Sequence, residues 1–112
     1  MAKYMAIYMA PAAMIAEMMK MPAEQAEKGM AEWMNWSNKA GKALVDLGAP
    51  LGKSKRVTSG GVADAKNDIT GYTVVEAGSL DAAAALFRDH PHLRMGNGAS
   101  IEIVEFVSLP GM

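Results

Sequence analysis

The spacing of apolar and polar positions divides the chain into six main elements. Lys3-Tyr4-Met5-Ala6-Ile7-Tyr8-Met9 reads as a strand, with Met5, Ile7 and Met9 on one face and Tyr4, Ala6 and Tyr8 on the other. Both faces are apolar enough to be buried. Pro11 suits the first turn of a short helix with Met14, Ile15, Met18 and Met19 as its apolar stripe, and Pro22 restarts a longer helix over 23–47. In that helix Met30, Trp33, Ser37, Ala40, Leu44 and Leu47 recur at spacings of three and four. Acids at its start and lysines in its second half suit the helix dipole, Gly41 predicts a bend, and Gly48 is placed as its left-handed cap.

Ser54 to Ser59 predicts a short basic edge strand, followed by a flexible stretch from Gly60 to Asp68 and a hairpin return. Thr70 to Ala77 is β-branched and alternates Tyr72, Val74 and Glu76 with Thr73, Val75 and Ala77. Ser79 caps a helix running to about Asp89, with Leu80, Ala83, Ala84 and Phe87 at helical spacing, and Pro91 ends it. The last strand, Ser100 to Val107, sets Ile101 and Ile103 against Glu102, Val104 and Phe106. Strand, helix, strand, strand, helix, strand is the order of an α+β ferredoxin-like sandwich, a four-stranded antiparallel sheet with helices on one face. The other face is expected to carry Tyr4, Tyr8, Val104 and Phe106, which predicts a homodimer packed through those sheet faces.

At 112 residues and 11.9 kDa the chain has room for a single domain. It has no cysteine, so disulfides, thiolate metal sites and cysteine nucleophiles are excluded. The net charge of −1 gives no reason to expect a nucleic-acid partner, although eight basic and five acidic residues fall in 1–56 and three and seven in 57–112. The apolar start is broken by Pro11 and no apolar run approaches the ~20 residues of a membrane span, so neither a signal peptide nor a membrane partner is expected and a cytoplasmic location is.

Chemistry centres on the two histidines, His90 and His92, which flank Pro91. Imidazole transfers protons near neutrality, and a rigid proline can aim both rings into one cavity; the simpler reading is that they cap the preceding helix. Two imidazoles with Asp89, Glu76 or Glu102 form at most a weak metal set, so no metal or cofactor is expected. Nine of eleven methionines precede residue 35, as core filling or the deformable wall of an apolar pocket rather than a copper site. Trp33 and Trp36 share a helix face, suited to packing or to stacking on an aromatic ligand. Gly60-Gly61 and Gly96-Asn97-Gly98 read as turns, not phosphate loops.

Taken together, the initial Lys-Tyr-Met strand, Ile69-Thr70-Gly71-Tyr72-Thr73-Val74-Val75-Glu76-Ala77, Ser79-Leu80-Asp81-Ala82-Ala83, His90-Pro91-His92-Leu93 and Ala99-Ser100-Ile101-Glu102-Ile103 resemble the YCII-related family of small bacterial proteins. The resemblance covers nearly the whole chain and implies a dimeric α+β barrel with a ligand pocket near the dimer interface. It also implies chemistry by a His on the long helix with an Asp immediately before Pro. Here the long helix offers Asn35, Trp36 or Ser37, and the residue before Pro91 is His90. A further family stretch, DGPF-like, is reduced to Ser59-Gly60-Gly61-Val62. Two functions follow as expectations. One is a lyase-like or isomerase-like small-molecule enzyme in which His90 or His92 moves a proton while Tyr8, Trp36, Ser100 or Glu102 holds the ligand. The other is a non-catalytic module that binds or senses an apolar or aromatic metabolite.

Overall fold

The computed structural model describes residues 1–96 and 98–110; the expected turn residue Asn97 and the Met18 side chain of the methionine stripe lie outside the described residues. β1 (Ala2–Met9) is central and pairs antiparallel with β5 (Ile69–Ala77) on one side and β6 (Ser100–Glu105) on the other. β2 (Leu44–Asp46) pairs antiparallel with β5, giving the order β2-β5-β1-β6 of a ferredoxin-like α+β sheet. α2 (Ala23–Ala40) and α3 (Leu80–Ala85) contribute Trp36 and Ala83 to the core cluster that covers one sheet face; α1 (Ala12–Met19) links β1 to α2.

The face assignment differs from the expectation. Tyr4, Ala6 and Tyr8 pack beneath the helices with Val75 and Ala77, and the uncovered face carries Met5, Ile7, Tyr72 and Val74 with the exposed Val104 and Phe106. Either face of β1 is apolar enough to be the core; the Tyr8 ring went where Trp33 and Phe87 could pack on it.

The second strand also lies elsewhere. α2 stops at Ala40 because Gly41 adopts φ +55°, and its N–H bonds back to the Ser37 carbonyl. Leu44 thereby leaves the helical stripe and enters the sheet opposite Val75, still packed on the core. The inward stripe of α2 is Trp33, Trp36, Ser37 and Ala40, whereas Met30 faces outward. Gly48 caps no helix. Its N–H bonds to the Asp46 carboxylate at 2.9 Å, φ is +81°, and a Cβ there would lie 1.7 Å from the Tyr72 carbonyl oxygen. Only glycine lets this loop run so close to β5.

The expected strand at Ser54 is present, but as half of a separate two-stranded hairpin, β3 (Ser54–Thr58) with β4 (Gly61–Ala65). The stretch after Gly60, expected to be flexible, is therefore the return strand. Ser79 caps α3 as predicted, its side chain accepting from the Ala82 N–H at 3.0 Å. Among the described residues no helix is long and apolar enough to cross a membrane.

Candidate functional site

Beyond α3 the chain turns through Phe87 to His90 and enters a short 3-10 turn, Pro91–Met95. A residue before proline is held in the extended region, and Pro91 supplies a fixed φ at the first position of the turn. His90 accordingly has φ −63° and ψ 136°, and its Nδ1 accepts from the His92 backbone N–H at 3.0 Å. His90 thus caps the turn that follows it, rather than the helix before it as the capping reading supposed.

That one hydrogen bond fixes the direction of every other. Nδ1 accepts, so the proton of the neutral ring is on Nε2, which lies 3.2 Å from the Tyr8 hydroxyl. The Tyr8 oxygen accepts it and donates to Thr73 Oγ1 at 2.6 Å. Thr73 in turn donates to the Leu47 carbonyl at 2.8 Å. The chain from His90 to Leu47 runs one way and terminates on the loop held by Gly48. It also crosses the sheet, because Tyr8 is on β1 and Thr73 on β5, on the same covered face.

Rings close around it. Trp33 and Trp36 meet His90 edge-on at centroid distances of 4.4 and 4.5 Å, and Phe87 stacks at 5.8 Å. The Trp36 indole N–H is held by the Leu86 carbonyl at 2.9 Å. His90 is 1% exposed. Burial, followed by the neighbouring His92 and Arg94 charges, lowers its pKa to about 3, and burial raises that of Tyr8 to about 12 against the opposing Thr73 hydrogen bond. Both groups are neutral throughout the physiological range.

His92 differs. Its Nε2 donates to the Met9 carbonyl at 2.9 Å, while Nδ1 has no hydrogen-bond partner among the described residues. Among those residues no three His, Asp or Glu side chains converge as a metal ion would require.

Of the residues singled out in the sequence, Tyr8, Trp36, His90 and His92 come together. Ser100 and Glu102 do not join them: opposite Met9 and Ile7 respectively, they share the uncovered face of the sheet and are exposed. Sequence reasoning missed Thr73. The signal available was a hydroxyl on an otherwise apolar strand face, beside Val75 and Ala77, in a register that alternation alone does not supply.

Two surface hollows adjoin the sheet, and neither includes a histidine. One, about 440 Å³, lies between Lys42, Glu76, Ala82 and Leu86; the other, about 280 Å³, is lined by Met5, Ile7, Leu51, Ile69 and Tyr72 on the uncovered face.

Residues 1–107 of the 112 match the profile of the YCII-related domain. The chain belongs to the YCII-related domain family. No curated protein matches it. In this YCII-related chain the resemblance implied an Asp before the proline and a His on the long helix. His90 keeps a capping acceptor at the first place, and of the three positions considered for the second, Trp36 is the one against the His90 ring.

Proposed function

We propose that this YCII-related protein is a homodimeric small-molecule-binding module in which His90 is a scaffold, not an acid–base group. The observation that carries the reading is the hydrogen bond from the His92 backbone N–H to His90 Nδ1. It occupies the only lone pair a neutral His90 has, and Nε2–H is already committed to Tyr8. A general base needs a free lone pair in reach of its substrate, and the aromatic rings around His90 leave no approach.

Surface area supports the dimer. A compact monomer of this mass exposes about 6,000 Å². This chain exposes 8139 Å², and its radius of gyration is 15.7 Å, against the ~13 Å expected for a domain of about this length. The excess is about 2,000 Å² per chain, or about 4,000 Å² for two, within the total that obligate homodimers bury. Joining two uncovered sheet faces would also roof the hollow formed by Met5, Ile7, Leu51, Ile69 and Tyr72, whose walls suit an apolar or aromatic ligand rather than a charged one.

Light scattering at micromolar concentration is expected to give twice the 11.9 kDa chain mass, and Phe106→Glu, a charge on the uncovered face, is expected to halve it. Metabolites that raise Tm are expected to be recovered chemically unchanged. A turnover abolished by His90→Asn, with the fold intact, would overturn the reading. A second reading, proton transfer by His92, is favoured by its Nδ1, which accepts nothing from the described residues; it requires a turnover lost in His92→Ala and retained in His90→Asn.

A further inference from the structure

The β3–β4 hairpin belongs to no larger sheet. Among the described residues its strands pair only with each other, and two-stranded hairpins are marginal in water on their own. Yet it places Val57 directly opposite Val62, 74% and 67% exposed, beside the Lys55–Asp64 ion pair on the same face. An apolar cross-strand pair left open to solvent on a projecting arm is suited to a partner surface.

The last strand offers its complement. β6 is an edge of the main sheet, and its uncovered face bears Glu102, Val104 and Phe106, the two apolar residues 46% and 49% exposed. Charge matches as well: residues 53–68 carry four basic and two acidic side chains, whereas residues 100–110 carry two acidic and none basic. Lys53 and Lys66, at the base of the hairpin, make no ion pair among the described residues; Arg56, opposite Ala63, is on the hairpin face away from Val57 and Val62. The hairpin follows β2, the opposite edge of the sheet from β6. A twofold axis that runs along the strands between two face-to-face sheets brings the β2 side of one copy to the β6 side of the other.

We infer that the hairpin is an exchanged arm. In the dimer each copy lays Val57 and Val62 against Val104 and Phe106 of the other, and the arm's surplus positive charge meets Glu102. The inference rests on the homodimer proposed above and adds the element that holds it.

The absence of cysteine makes the test direct. Single-cysteine variants Val57→Cys and Val104→Cys are mixed, allowed to exchange subunits, and oxidised; Val57→Cys mixed with Met30→Cys, on the outer side of α2, is the control. At least tenfold more mixed disulfide with Val104→Cys than with Met30→Cys is expected. A dimer by light scattering with no such preference overturns the exchanged arm and leaves the dimer standing. A monomer overturns both.

Discussion

Tyr8→Phe removes one oxygen and leaves the ring, so it isolates the hydrogen-bonded chain from the packing around it. The oxygen has two partners in wild type, His90 Nε2 at 3.2 Å and Thr73 Oγ1 at 2.6 Å, and both are buried. Without it the His90 N–H is a buried donor with no acceptor, at about 1–3 kcal/mol. Thr73 loses a donor but keeps its own bond to the Leu47 carbonyl, so that side costs less. The ring contacts with Trp33 and Phe87 are unchanged in kind. The expected loss is therefore about 2–3 kcal/mol, a substantial part of the ~5–15 kcal/mol stability of a domain. Urea unfolding followed by the fluorescence of Trp33 and Trp36, at one fixed protein concentration, measures it. Thr73→Val provides the second corner of a double-mutant cycle, and the double variant is expected to fall short of additivity by about 1 kcal/mol, because the shared bond is lost only once. A Tyr8→Phe protein within about 0.5 kcal/mol of wild type, a loss typical of surface changes, would refute the directional chain.

Acid is expected to act through His90. Its pKa is lowered from 6.5 to about 3 in the folded chain, so below pH 6.5 the unfolded chain binds a proton that the native one refuses. The contribution is fully present above pH 6.5 and lost as pH falls toward 3; it is at most about 5 kcal/mol, and about 2–3 once the protein relaxes and hydrates the charged ring. His90→Asn keeps an acceptor for the His92 N–H without titrating, so its urea midpoint is expected to vary less than that of wild type between pH 6.5 and about 4. Gly48→Ala, which forces a Cβ onto the Tyr72 carbonyl and a side chain into positive φ, is expected to cost at least about 2 kcal/mol in the same assay.

Much of the fold was legible because it is written in local patterns. Alternation located β1, β5 and β6, the Ser79 cap opened α3 where expected, and Gly41 marked a disturbance in the long helix. What stayed hidden depends on contacts distant in the chain. β2 is three residues long and continues the helical spacing through Leu44, so only its pairing with Val75 makes it a strand. Which face of β1 is inward was not decided by alternation, since Met5 and Ile7 are as apolar as Tyr4 and Ala6. The site was half legible: His90 and His92 were identifiable as titratable residues beside a proline, but Tyr8 and His90 are 82 positions apart, and nothing local says that they bond. Nor does residue type reveal protonation. The neutrality of His90 follows from a backbone N–H two residues on and from the rings that enclose it.

The central claim, that His90 is a fixed neutral scaffold, is tested most directly by long-range proton–nitrogen NMR of the two histidine rings in the intact protein between about pH 7 and pH 4.5. The account predicts that His90 keeps an unprotonated Nδ1 and a protonated Nε2 across the whole range. A His90 ring protonated at Nδ1 at pH 7, or one that becomes imidazolium with a midpoint near the ordinary value of 6.5, would contradict it.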